Sequence, residues 1–303
     1  MVYSARVDPT LMVRAMRAGA REFLSDPIDA GALVDALGRA SSRKSAPLGK
    51  ESGGKLLVFV GGKGGSGVTT VACNFAVALA EDCEKNVALI DLDLPLGDAA
   101  LSLGITSQFS VADALINADR LDSNFFNRLL TKHSSGLSVL AAPGKFPHVP
   151  ASNDAIGKLL TVARREFEYV VVDAGSRFDL TDAEWFSQAE TFYLVMQAGI
   201  PELRNCHRLI TEFFKSDEPK LEIVLNRFMP RSLGVDEGHI EKALTRPIAW
   251  KIPSDYFTVR RMQNEAVPLA MEDSNIARVI QQMARAACGM PAKQEKRRFG
   301  LFK

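Results

Sequence analysis

From residue 55 onward the chain carries short, uninterrupted apolar runs at 56–60, 87–90, 137–141, 169–172, 191–196, 223–225 and 248–252. Between them lie longer segments, such as 155–167 and 203–214, whose apolar residues recur with helical spacing. Continuous apolar strands joined by helices predict an α/β fold, a mostly parallel, doubly wound sheet covered on both faces. Ligands of such sheets bind at the carboxyl ends of the strands. The residues that leave those ends are therefore the first place to look for chemistry.

The pattern before residue 55 is different. A strand end at 2–5 precedes helically spaced Leu11, Met12, Ala15 and Met16, then a short strand at 21–24 and a helix at 30–37. About 40 residues are marginal for independent folding. Residues 42–54, SRKSAPLGKESGG, have the composition of a linker. The expected organisation is a small α/β segment over 1–41, the linker, a nucleotide-binding domain over 55–290, and a basic tail over 291–303.

Composition narrows the function classes. The 303 residues are 47% hydrophobic with a formal net charge of +1, ample for a buried core and poorly suited to coating nucleic acid. No apolar run approaches the roughly 20 residues that span a bilayer, and the first residues lack the charged head and apolar core of a signal peptide. Cys73, Cys83, Cys206 and Cys288 are scattered without metal-ligand spacing, as are the four histidines, so reduced thiols in a cytoplasmic protein are expected.

The strand at 56–60 runs into GGKGGSGVTT, residues 61–70, and then into a helix expected to begin near Thr69. Strand, glycine-rich turn and helix in that order gather backbone N–H groups and the positive helix end at one point, which suits a phosphate chain. The ordinary P-loop has lysine immediately before its hydroxyl residue. Here Gly62 and Gly67 hold the glycine positions and Thr69 the hydroxyl, but Val68 takes the lysine position and a separate Lys63 stands near the loop's start.

Two other strand ends are acidic. After 87–90 comes Asp91-Leu92-Asp93, which strand alternation sends to one side, where carboxylates can hold hydrated Mg²⁺ or orient water. The run at 169–172 ends in Asp173, a charge too costly to bury uncompensated, and Mg²⁺ is the expected partner. Thr69 is the expected direct hydroxyl ligand of that ion. Asn226, followed by Arg227 after a further strand, offers the donor and acceptor that match an adenine edge.

The segment Lys63-Gly64-Gly65-Ser66-Gly67-Val68-Thr69-Thr70 resembles the deviant Walker A motif of the MinD/ParA family except at Val68. The resemblance implies ATP with Mg²⁺ as ligand and Lys63 as the signature lysine reaching the γ-phosphate, often across a sandwich dimer. It implies Asp93 as the water-orienting residue, with Lys63 and Asp93 the catalytic pair, and Thr69, Asp91 and Asp173 in the metal shell. Asn226 and Arg227 would read the base, with Pro253 and Asp255 of the Ile-Pro-Ser-Asp loop on its other side. The stretch MQNEAVPLA resembles the family's "N-x-G-x-P-L" helix end, with Ala266 near where glycine usually sits.

Over most of its length the chain resembles the CpaE/TadZ pilus-assembly branch of that family. Residues 15–37 resemble the last strand and helix of a receiver domain, with Asp26 in place of the lysine before Pro27. The strand that would carry a phosphoacceptor is not among these residues, so no phosphoryl acceptor is expected there. The branch implies an ATP-dependent homodimer that marks a pole or inner-membrane site and recruits Tad pilus or secretion machinery, including its secretion ATPase. Valine offers the phosphates neither charge nor donor, so hydrolysis is expected to be slow while binding persists. A MinD/ParA-type ATPase for membrane or DNA positioning and a nucleotide-independent pseudo-ATPase module are the alternatives. The basic tail is a candidate peripheral membrane contact; scattered surface arginines favour a solvated face over DNA binding.

Overall fold

The computed structural model describes residues 2–4, 23–25, 53–145, 152–177, 184–214, 220–230 and 237–292. The chain divides into two units, Met1–Ser52 and Gly53–Lys303. In the first, strand β1 (Val2–Ser4) pairs in parallel with β2 (Phe23–Ser25). The two helices expected there, residues 42–52 of the linker and the tail from 293 lie outside the described residues.

The second unit carries eight strands: β3 (Lys55–Gly61), β4 (Val87–Asp91), β5 (Thr131–Lys132), β6 (Ser138–Leu140), β7 (Tyr169–Asp173), β8 (Thr191–Met196), β9 (Lys220–Phe228) and β10 (Ile248–Pro253). They form one sheet in the order β10-β9-β8-β3-β7-β4-β6-β5. Every pairing is parallel except that of β5 with β6. All seven expected strands are present. The two-residue β5 is an addition, with no apolar run of its own to announce it.

Strand alternation explains how one apolar run serves two layers. Along β3, Leu56, Val58 and Val60 join one hydrophobic cluster, while Leu57 and Phe59 join the other. The first layer is closed by helices α5 (Asn153–Glu166), α6 (Ile200–Phe213) and α7 (Glu237–Leu244). The second is closed by α1 (Val68–Glu81), α8 (Tyr256–Glu265) and α9 (Asn275–Ala287). Three short helices, α2 (Ala99–Ser102), α3 (Val111–Ile116) and α4 (Ser123–Leu129), fill the crossover from β4 to the β5–β6 edge.

Helix α1 is apolar nearly all round, as a helix sandwiched between a sheet and another helix must be. Its Phe75 packs against Phe59 (5.0 Å between centroids) and Tyr193 (5.2 Å), which stack on each other at 4.6 Å. Removing a fully buried phenylalanine costs roughly 3–5 kcal/mol. This aromatic cluster therefore fixes the helix rigidly beneath the loop that precedes it.

Helix ends are capped by local chemistry. Ser152 accepts from Ala155 N at the start of α5, and Ser274 from Ala277 N at the start of α9. Helix α8 ends at Ala266, whose φ of 52° is left-handed. The sequence motif places glycine near this point, and the backbone adopts the glycine-like conformation with an alanine.

Candidate phosphate and nucleotide site

The loop between β3 and α1 leaves the centre of the sheet, with β7 on one side of β3 and β8 on the other. The helix starts at Val68, one residue earlier than expected, with Gly67 as its N-cap at φ 94°. A side chain at Gly67 would be strained at that φ and would collide with the Asn226 amide, so only glycine fits. The first-turn N–H groups of α1 have no intrahelical acceptor and are available to an anion.

Val68 does not reach toward that anion position. Its side chain is buried in the α1 layer, and its Cγ2 leaves no room for a side chain at Gly61. Lys63 is exposed, and among the described residues no hydrogen bond or ion pair engages its ammonium group.

Side chains from outside hold the loop. Asn205 Nδ2 donates to Gly62 O at 3.0 Å, Gln197 Nε2 to Gly65 O at 2.9 Å, and Asn226 Nδ2 to Ser66 O at 2.8 Å. Ser66 is buried, with Oγ 2.7 Å from Lys63 O and 2.5 Å from Glu202 Oε1. In a trans peptide the carbonyl and the following N–H point opposite ways. Tying the Gly62 and Ser66 carbonyls toward α6 and β9 therefore turns the N–H groups of Lys63 and Gly67 to the other side. The N–H that follows the Gly65 carbonyl, that of Ser66, donates to Lys63 O at 3.3 Å, as the Ser66 hydroxyl does, and so turns the Gly64 N–H away from it.

The acidic strand ends meet beside the loop. Asp91 and Asp173 are paired residues in the β4–β7 register, and both are completely buried. Burial, aided by the neighbouring Asp173 charge, pushes the Asp91 carboxyl up to about 8 despite two backbone donors. Burial likewise raises Asp173 to about 6, against hydrogen bonds from the Thr69 side chain and Gly175 N. Asp173 Oδ2 is buried with no hydrogen-bond partner. Two repelling carboxyls and an orphaned oxygen beside a hydroxyl are a donor set that a small hard cation completes. The residues fit Mg²⁺.

The structure redistributes roles among the expected residues. Asp91 accepts from Asp93 N (3.1 Å) and, at the start of α2, from Ala99 N (3.1 Å), so it shapes the following loop with both oxygens. Asp93 is half-buried against Gly175; burial raises its carboxyl, partly offset by Arg177. Asn226 spends its amide on the loop and its Oδ1 on Arg227 N (2.9 Å), leaving one N–H and one lone pair for a base. Arg227 takes a left-handed φ of 53°. Asp255 caps α8 by accepting from Thr258 N.

A cleft of about 220 Å³ opens next to the loop, lined by Gly67, Thr70, Asn226, Arg227, Pro253 and Tyr256, among others. Gln263 Nε2 donates to Thr70 Oγ1 across it, at 3.2 Å. The cleft brings the expected base-side residues together on one side of the phosphate loop.

Gln197, Glu202, Asn205, Arg177 and Gln263 were not singled out by the motifs. The rule that directs attention to strand ends covers the first two, since Gln197 directly follows β8 and Glu202 lies in the first turn of α6. Arg177, four residues past β7, and Asn205, one turn beyond Glu202, lie near those same strand ends but carry no motif, and Gln263 comes from α8.

Comparison with known proteins agrees with this geometry. The family model for the CobQ/CobB/MinD/ParA nucleotide binding domain matches residues 57–264. The septum site-determining protein MinD of Helicobacter pylori is 24% identical over 248 residues, covering 77% of this chain and 90% of its own. Among solved structures, the ParA family ATPase from Chlorobium tepidum superposes with a TM-score of 0.70 at 26% identity, covering 77% of this chain and 98% of its own. MinD from Pyrococcus horikoshii, solved with Mg-ADP, gives 0.65 at 20% identity, covering 77% and 95%. A sheet of this order, a phosphate loop on its central strand and a family match over more than half the length lead to one conclusion: the chain belongs to the CobQ/CobB/MinD/ParA nucleotide-binding family.

Proposed function

We propose that this chain binds ATP with Mg²⁺, hydrolyses it slowly, and dimerises in the bound state as a localisation factor of a Tad-type pilus or secretion system. The observation that carries the reading is the contrast inside the loop. Its backbone is fixed in an anion-binding shape, while a buried valine fills the position where a phosphate-binding lysine would stand. Binding rests on backbone N–H groups, Lys63 and the metal shell; turnover lacks one cation.

In this reading Thr69, Asp91 and Asp173 would hold Mg²⁺, which would supply positive charge against the phosphates. Asp93 orients the attacking water while Gly175 keeps its carboxylate close. Asn226, Arg227, Pro253 and Asp255 flank the base. The P. horikoshii relative solved with Mg-ADP supports the choice of ligand. The Tad assignment, a homodimer, recruitment of the secretion ATPase and a pole or inner-membrane location rest on the CpaE/TadZ resemblance.

A second reading is MinD-type membrane positioning, favoured by the MinD relatives. Among the described residues no helix is long and apolar enough to cross a membrane.

Calorimetric titration with ATP is expected to show saturable binding that Mg²⁺ strengthens, and sedimentation should show a dimer only with both present. Absence of ATP binding would establish a nucleotide-independent module instead.

A Val68→Lys variant should raise kcat by about 10²-fold, the scale of one restored transition-state donor. An unchanged hydrolysis rate would show that the valine is not what limits turnover.

The raised carboxyls give the pH dependence a definite sign. A carboxyl whose folded pKa is raised stabilises the ligand-free fold below its unfolded value, and that stability is lost as pH rises through the folded value. Between about pH 4 and 8 the ligand-free chain should therefore become less stable, through both aspartates up to about pH 6 and through Asp91 alone above it, while Mg²⁺-nucleotide binding tightens with pH and releases protons. Titrations in buffers of different ionisation enthalpy measure that release, and Asp91→Asn should reduce it. A proton-neutral binding step would contradict the buried acidic pair.

A further inference from the structure

We infer that Glu202 is a positioning residue of the phosphate site, acting through Ser66 to lock the loop in its ligand-ready shape. The inference deepens the ATP-binding reading and rests on it for its effect on affinity.

Ser66 is 1% exposed and Glu202 8% exposed, so neither side chain has water as an alternative partner. Ser66 Oγ lies between Glu202 Oε1 (2.5 Å) and the carbonyl of Lys63 (2.7 Å). The same Oε1 accepts from Gln197 N at 3.1 Å, which anchors the carboxyl group to the end of β8. Glu202 belongs to the first turn of α6, and one turn further on Asn205 holds Gly62 O. The two ends of the loop are thus tied to one rigid helix. Ser66 is the only loop side chain turned inward to meet it among those at 63–66, since the rest are Lys63 and two glycines.

Ser66 holds the Lys63 carbonyl twice over, its N–H donating at 3.3 Å while its single hydroxyl proton is shared between that carbonyl and Glu202 Oε1, so Glu202 steadies the carbonyl by keeping Ser66 in place. If that peptide rotates, the N–H of Gly64 leaves the anion side. Affinity that depends on main-chain donors then depends on keeping the peptide still, because ordering a loose loop at the moment of binding subtracts from the gain. A chain with valine in the lysine position has fewer other contacts with which to compensate. Glu202 thus acts on the ligand only through the loop, and Oε1 is needed as an acceptor.

Ser66→Ala, Glu202→Ala, Glu202→Gln and the Ser66→Ala/Glu202→Ala double variant test this. In ligand-free protein, amide exchange over residues 62–70 should speed up about tenfold in either alanine variant, the effect of losing one buried hydrogen bond. Affinity for ATP with Mg²⁺ should fall by a similar factor. Glu202→Gln, which keeps Oε1, should stay near the parent in both readouts, and the double variant should be no worse than either single one. Additive losses, a Gln variant as impaired as the Ala variant, or loop exchange unchanged by Glu202→Ala would each overturn the inference. Should Glu202→Ala fail to fold, Ser66→Ala carries the same expectation. Should the parent chain bind no ATP, the nucleotide reading fails, while the exchange comparison still decides whether the clasp orders the loop.

Discussion

The direction of a few peptide planes between β3 and α1 underlies everything this fold can do with a phosphate. Backbone N–H groups are weak individually and useful only when several converge. Here convergence is imposed from behind: carbonyls of Gly62, Gly65 and Ser66 are pulled toward side chains on the β8–α6 and β9 segments. The aromatic cluster of Phe59, Phe75 and Tyr193 holds the strand and helix on either side. Rigidity on both flanks makes the turn a preformed feature at the carboxyl end of a central strand.

The neighbouring acidic residues supply the complementary constraint. Two buried carboxyls at the ends of adjacent strands oppose one another, and local N–H donors relieve only part of the strain. Asp91 is mainly architectural in the ligand-free chain, since both its oxygens organise the start of the loop toward α2. Asp173 keeps an unpartnered oxygen and so is the better candidate for contact with a cation or its water shell. Both sequence expectations concern the same ion, yet geometry gives the two aspartates different jobs.

How much was legible in advance follows from the range of the interactions. The parallel strands could be read because each is a continuous apolar run, and the phosphate loop because strand, glycines and helix are contiguous. Ala266 was marked as a glycine-like helix end, and its left-handed φ is a local backbone property. By contrast, β5 forms through pairing with β6 and has no pattern of its own. The clasp between Ser66 and Glu202 joins positions 136 apart in the chain, so no local rule reports it. The donor and acceptor of Asn226 can be read from sequence, whereas the share of its amide given to the Ser66 carbonyl joins segments far apart in the chain.

A crystal structure with a non-hydrolysable ATP analogue and Mg²⁺ tests the central claim most directly. The account predicts phosphate oxygens within hydrogen-bond reach of N–H groups between Gly64 and Thr70, with the Val68 side chain still packed in the α1 layer and the loop carbonyls still tied. Phosphates bound elsewhere, or a loop that must rebuild its peptide orientations to receive them, would contradict it.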